Sequence, residues 1–254
     1  MIDTHCHLDV DAFDHDRDEA LARAAAAGVR GVLVPAIRPA TWDALVAWAG
    51  ARAAVRVAIG VHPQVVPHLG AGERRDISRL AELARASGAV AIGECGLDAA
   101  TGDLDEQERI FRHQIGVARE LGLPLVVHVL RAHDRAPRVL AEERAHEVGG
   151  VMHSYSGGRD LVARYVDMGF HISFAGPVTY DNARRPVEAA RVVPRERLLA
   201  ETDAPDQAPA PYRGTRSEPA YVREVVGGLG RVRGEDPAEV AAYTDENARR
   251  LFRM

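Results

Sequence analysis

The chain has 254 residues, 46% of them hydrophobic, with 32 basic against 37 acidic side chains and a formal net charge of −5. That composition suits one sizeable core and excludes broad electrostatic capture of nucleic acid, though not a local basic mouth. Two cysteines exclude a secreted disulfide framework, and no apolar run approaches the ~20 residues of a membrane span.

The first apolar run, residues 1–4, leads directly into His5-Cys6-His7, so no N-terminal signal segment is expected and the chain reads as a cytoplasmic enzyme. Further runs rich in Val, Ile and Leu follow at 29–35, 55–60, 89–93, 123–127, 149–152, 170–174 and 198–201. Each is short and bounded by Gly, Pro or polar residues, the composition of a strand buried on both faces. Helical composition fills the intervals at 17–27, 40–51, 77–86, 104–121, 133–147, 161–168 and 184–192, and continues at 219–230. Eight such alternations predict a single-domain α/β chain over residues 1–254, a closed (β/α)8 barrel.

A doubly wound open sheet is the rival, and the placement of metal-binding residue types decides between them. His5 and His7 follow the first strand, Glu94 the fourth, His128 the fifth, His153 the sixth and Asp203 the eighth. In a barrel all of these reach the axis from the carboxyl ends of the strands. In an open sheet the first and eighth strands are usually too far apart to share a metal.

The residue types fit the chemistry. Neutral imidazoles hold Zn²⁺, Mn²⁺ or Fe²⁺, while carboxylates offset the dication charge and can bridge two ions. His5 and His7 are two apart on a strand, so both project to one side, whereas Cys6 points away. Cys6 and Cys95 are read as buried small hydrophobes. A divalent ion lowers the pKa of bound water toward ~7, and a paired site can stabilise the attacking and leaving oxygens of a displacement at phosphorus. Asp203 either completes a metal shell or orients and deprotonates that water. All basic residues are Arg, so neither a Schiff-base lysine nor a carboxylated lysine bridge is available. Any bridge between two metals falls to an ordinary carboxylate, with Glu94 the candidate. A lone histidine at a strand end is more often structural; it is the recurrence of His128 and His153 with Glu94 and Asp203 that points to metal. His15, His68, His113 and His146 are read as solvated, and His171 as packed within its strand.

The sequences Ile2-Asp3-Thr4-His5-Cys6-His7-Leu8-Asp9, Gly60-Val61-His62-Pro63, Ile92-Gly93-Glu94-Cys95-Gly96-Leu97-Asp98, His153-Ser154-Tyr155-Ser156-Gly157 and Glu201-Thr202-Asp203-Ala204-Pro205 resemble the motifs of TatD-related metal-dependent hydrolases. The resemblance spans the chain to Glu246-Asn247-Ala248-Arg249-Arg250-Leu251-Phe252. It implies a TIM-barrel amidohydrolase-type enzyme with two divalent ions, often described as a deoxyribonuclease. By that resemblance His5, His7, Glu94 and Asp203 hold one ion, Glu94, His128 and His153 the other, and His62 faces the substrate. Asp203 and Glu94 are then the catalytic carboxylates.

Three departures from the family pattern bear on substrate. His128-Val129-Leu130-Arg131 delays by one residue an arginine the family places at His-x-Arg. Ala99-Ala100 stands where an aromatic pair is common, and such stacking platforms contribute ~1–3 kcal/mol per base on single strands. Ser217 stands where Asn is usual in the stretch Tyr212-Arg213-Gly214-Thr215-Arg216-Ser217-Glu218-Pro219, within the proline-rich loop after the eighth strand. Arg131, Arg213 and Arg216 are the expected phosphate contacts, the last two by the fork geometry of guanidinium.

The leading expectation is therefore a dinuclear, metal-dependent deoxyribonuclease trimming DNA ends, using Zn, Mn or Mg, with no membrane and no obligate protein partner. The alternative keeps the site and hydrolyses an amide, ester or lactone of a small molecule. A metal-binding structural protein is a third reading, disfavoured because a closed structural site rarely draws six ligands from five strands.

Overall fold

A computed structural model describes residues 1–254. In chain order the elements are β1 (Ile2–Asp3), α1 (Arg17–Ala26), β2 (Gly31–Pro35), α2 (Trp42–Gly50), β3 (Val55–Ile59), α3 (Ala71–Asp76), α4 (Leu80–Ser87), β4 (Ala91–Asp98), α5 (Leu104–Leu121), β5 (Leu125–Leu130), α6 (Ala136–Glu142), β6 (Gly150–Met152), α7 (Arg159–Asp167), β7 (Phe170–Phe174), α8 (Arg185–Val192), β8 (Leu198–Ala200), α9 (Val222–Arg233) and α10 (Pro237–Phe252). The strands form one sheet in the order β1 to β8. Past β8 the chain hydrogen-bonds back along the extension of β1. The Thr4 amide donates to the Ala200 carbonyl (3.3 Å), the Asp203 amide to the His5 carbonyl (2.9 Å) and the His7 amide to the Ala204 carbonyl (2.7 Å). Sequential order with the last strand returned to the first is the (β/α)8 barrel, and it excludes the doubly wound rival.

Local sequence accounts for the elements. The strands are apolar because both faces are covered; β2, β4 and β7 are buried at every position. Helix α5 presents Ile110, Phe111, Ile115 and Ala118 to the core at helical spacing and stops at Gly122, whose left-handed backbone (φ 63°) caps it. Helix α10 is an element the apolar periodicity alone did not mark. Its start carries its own signal, since Asp236 accepts the Ala238 amide at 2.8 Å and Pro237 opens the first turn. Asn247 then anchors it by donating to the carbonyls of Arg195 (2.7 Å) and Leu198 (2.9 Å), which fixes the start of β8. Helix α3 was likewise unanticipated, and β4 runs five residues past its predicted end at Gly93.

The chain forms two compact units, one of Met1–Val34, Ser154–Val166 and His171–Met254, the other of Pro35–His153 and Asp167–Phe170. The first is centred on Leu8, Phe13, Tyr165, Phe174 and Phe252, the second on Trp42, Ile59, Leu80, Phe111 and Phe170, all fully buried. Trp42 buries its ring and still satisfies its indole N–H on the Gly60 carbonyl at 2.8 Å. Both cysteines are free and fully buried, as small core side chains. No helix is long and apolar enough to cross a membrane.

Candidate metal centre

In the first unit, the residues after β1 remain extended, and their amides alternate between neighbours: Cys6 donates to Leu33 (3.0 Å), His7 to Ala204 (2.7 Å). Alternation sends Cys6 into the packed layer and sets His5 beside His7, their Nε2 atoms 3.1 Å apart. Asp203 Oδ1 lies 3.7 Å from His5 Nε2 and 3.8 Å from His7 Nε2. Asp203 has a positive φ of 54°, a conformation uncommon outside glycine and concentrated at functional sites. Its Oδ2 accepts a hydrogen bond from Gln207 Nε2, and Gln207 is in turn bonded to Ser154 Oγ.

The floor of this cluster is a buried carboxylate network. Asp3 Oδ1 accepts the amides of His5 (3.2 Å) and Thr202 (2.9 Å), and Oδ2 accepts the Thr202 hydroxyl. Burial pushes the Asp3 carboxyl up to about 8, against these hydrogen bonds. Glu201, also buried, accepts the Ser154 amide. Asp3 thus ties the backbone below His5 to the backbone below Asp203.

In the second unit, the pairing of β4 with β5 slips between Ile92 and Cys95, an irregularity that re-aims the intervening Glu94. Glu94 is fully buried, and its Oε1 is the point of convergence for His153 Nε2 (2.7 Å), His62 Nε2 (2.9 Å) and His128 Nδ1 (3.1 Å). His128 Nδ1 is also 3.1 Å from His153 Nε2. The far nitrogen of His128, Nε2, lies 3.3 Å from Asp98 Oδ2, which also accepts from Gln64 Nε2 at 2.8 Å. Gln114 on α5 braces the approach to His62, accepting the Val61 amide at 2.7 Å and donating to the Val61 carbonyl.

Hydrogen bonding assigns the tautomers. His62 Nδ1 accepts the Gln64 amide at 3.1 Å, so its proton sits on Nε2 and points at Glu94. His62 is therefore a donor, not a ligand, although its ring belongs to a group with ligand-like spacing. His128 has a carboxylate at each nitrogen; with an ion at Nδ1 it would donate Nε2–H to Asp98, the usual way a carboxylate orients a metal-binding imidazole. Burial opposes charge on Asp98, but hydrogen bonds from His128, Gln64 and the Ala100 amide outweigh it and hold the carboxyl well below the usual range. Burial likewise lowers the His128 pKa, and the bonds to Asp98 and Glu94 outweigh it, leaving that pKa raised.

Both clusters fit divalent ions. Bonds of about 2.0–2.2 Å place neighbouring ligand atoms roughly 3 Å or slightly more apart. The spacings are 3.1 to 3.8 Å in the first set and 2.7 to 3.1 Å in the second. Imidazole lone pairs and carboxylate oxygens crowded together away from water demand a cation or protons between them.

The six expected ligands fall into these sets: His5, His7 and Asp203 in one, Glu94, His128 and His153 in the other. His62 sits with the second. Of the expected phosphate contacts, Arg131 is exposed and follows β5 with a positive φ of 53°. Arg213 is exposed, its guanidinium 4.4 Å from the centre of the Tyr180 ring. Arg216 spans both oxygens of Asp16 at 2.7 Å, donates to the Ala12 carbonyl at 2.7 Å and covers the Phe13 ring at 4.3 Å. Those bonds commit it to fastening its loop onto the turn before α1. His15, His68, His113 and His146 are exposed, and His171 is buried within β7. Sequence reasoning placed Asp3 and Asp98 in motifs without giving them a role, and did not name Gln64 or Gln207. Asp98 was findable, because a residue four after Glu94 on one strand shares its face.

Removing the Asp98 charge gives a direct check. Asp98→Asn is expected to weaken binding of Zn²⁺ or Mn²⁺ about 10–100-fold, the effect of losing a carboxylate behind a metal-binding imidazole. A proton competes with metal at His128, so affinity falls as pH drops through its raised pKa; without Asp98 that fall moves to lower pH. Calorimetric titrations across pH 5.5–8 that superimpose for the two proteins would refute the assignment.

Comparisons with known proteins bear on family and fold. Residues 2–253 match the family described as TatD related DNase. The chain is 37% identical over 256 residues to the uncharacterized metal-dependent hydrolase YabD of Bacillus subtilis, covering 100% of this chain and 99% of that protein. It is 35% identical over 264 residues to the 3′-5′ ssDNA/RNA exonuclease TatD of Salmonella typhimurium, covering 100% and 99%. The crystal structure of YjjV, a TatD homologue from Escherichia coli K12, superimposes with a TM-score of 0.92 at 31% identity, covering 100% of this chain and 98% of that one.

Proposed function

The chain belongs to the TatD-related DNase family and is a metal-dependent hydrolase; from that premise we propose that it is a nuclease removing nucleotides from the ends of DNA. The observation that carries the reading is a buried ligand set, Glu94, His128 and His153, with a donor beside it: His62, held by the Gln64 amide with its Nε2–H directed at Glu94. A phosphodiester needs that combination, because negative charge builds on its non-bridging oxygens as the bond breaks.

His5, His7 and Asp203 would hold one divalent ion and Glu94, His128 and His153 another, and such ions would supply a water acidic enough to lose its proton near neutral pH and would offset charge on the phosphoryl oxygens. Zn²⁺, Mn²⁺ and Mg²⁺ are the candidates. The protein's own groups do the rest. Asp203, oriented by Gln207 through Oδ2, accepts the proton of the attacking water and holds it. His62 would transfer its Nε2–H from Glu94 to a phosphoryl oxygen, and Arg131 and Arg213, both exposed, approach the strand backbone. Asp98 keeps His128 in its ligand tautomer throughout.

End-labelled single-stranded DNA tests the reading when incubated with Mg²⁺ or Mn²⁺, with chelator and Asp203→Asn protein as controls. Stepwise shortening that disappears in both controls is the expected result and shows which end is attacked. DNA left intact with each ion would overturn it. The net charge of −5 and the exposed Ala99-Ala100, which offers no stacking platform, favour the second reading, hydrolysis of a small amide, ester or lactone. Turnover of such substrates with intact DNA would establish that one instead.

A further inference from the structure

Beside the first ligand set, the segments after β6, β7 and β8 enclose a pocket of about 240 Å³. Tyr155, Phe174 and Val178 supply apolar walls, Ser156 and Gln207 supply polar edges, and Arg185 stands at the rim. Tyr155 and Phe174 meet edge to face, their ring centres 6.2 Å apart, and both are almost wholly buried. Their positions are set by packing, independent of any ligand. Arg185, by contrast, is exposed.

We propose that this pocket seats the terminal nucleobase of the strand being cut, with Arg185 contacting the phosphate beside it; the proposal rests on the nuclease reading and extends it to a substrate subsite. Size supports one base. Pockets for drug-sized ligands run about 300–1,000 Å³, so this one holds a single ring system and no more. The apolar lining suits a flat ring, and the Ser156 hydroxyl suits the polar edge through which single-stranded bases are recognised. The cationic rim suits an adjoining phosphate, a natural partner for guanidinium. The pocket is also coupled to the chemistry. Gln207 lines it and donates to Asp203 Oδ2, so a base seated there lies one side chain away from the carboxylate that handles the attacking water. Base recognition inside the pocket removes the need for the aromatic pair that Ala99-Ala100 replaces.

The probe is 2-aminopurine, as the deoxynucleoside, as its 5′-monophosphate and at either end of a short single strand, titrated against the metal-loaded full-length protein. Stacking against the walls quenches its fluorescence saturably. Val178→Trp fills the pocket from one wall and Ser156→Phe, a loop substitution more easily tolerated, from another. Each is expected to raise Kd at least tenfold with the melting midpoint retained. Arg185→Ala is expected to weaken the monophosphate severalfold and leave the deoxynucleoside unchanged. Absence of saturable quenching, or a Kd unchanged in both filled variants, overturns the subsite. Failure of the nuclease reading looks different: the probe binds in the pocket while DNA stays intact. Conversely, DNA cleaved with one KM for base-bearing and abasic ends removes the subsite and leaves the nuclease standing.

Discussion

Glu94→Gln is expected to lower kcat/KM by at least 10²–10³-fold, the loss that accompanies removal of a single preorganised electrostatic contact at a reacting centre. The substitution keeps shape and removes charge. Three imidazole nitrogens approach Glu94 Oε1 within 3.1 Å, so the carboxylate is the one anion around which that set is organised. An amide cannot offset a dication, and its NH₂ group, if turned inward, faces lone pairs it would have to share with the metal. Loss of the charge also withdraws one of the two carboxylates that raise the His128 pKa. Metal analysis and steady-state kinetics on the purified variant check both consequences, with circular dichroism to show that the fold is kept. A variant within tenfold of the wild type, carrying its full metal content, would mean that Glu94 is a structural carboxylate and the hydrolytic centre lies elsewhere.

The strand ends were legible in the sequence because barrel strands buried on both faces read as uninterrupted apolar runs, and a polar residue at the end of such a run stands out. His5, His7, Glu94, His128, His153 and Asp203 were therefore visible one by one. What joins them was less so. The register slip in β4 leaves no compositional trace, since Gly93-Glu94-Cys95 reads the same with or without it; the apolar run therefore stops at Gly93 although β4 continues to Asp98. An end at Gly93 leaves Asp98 off the strand, where its alternation with Glu94 is invisible. Gln207 had no signal at all, because its partner Asp203 becomes a neighbour only through a left-handed turn at both residues. Arg216 shows the opposite case. A guanidinium in a loop over the strand ends suggests phosphate, and only the position of Asp16, 200 residues away in sequence, shows what it holds.

Gly96→Ala is expected to be a severely damaging single-methyl change beside the site, and it separates backbone geometry from chemistry. Gly96 pairs with His128 across β4 and β5 at φ +137°, where side chains other than hydrogen are strained. A Cβ there would lie 2.0 Å from the His128 carbonyl oxygen and 2.9 Å from its carbonyl carbon, both backbone atoms that cannot swing aside. The strands must part at His128, the residue that Glu94 and Asp98 hold from either nitrogen. Strain at φ and overpacking each contribute ~1–3 kcal/mol. A combined loss of ~3 kcal/mol lowers the melting midpoint by roughly 6–12 °C in a domain of this size. Gly102→Ala isolates the first term, for Gly102 has φ +99° with nothing within 4 Å of its would-be Cβ. It should melt well above the Gly96 variant and keep its metal affinity, whereas Gly96→Ala should lose both stability and metal. Equal melting of the two variants would show that the approach of β4 to β5 is not what sets the position of His128.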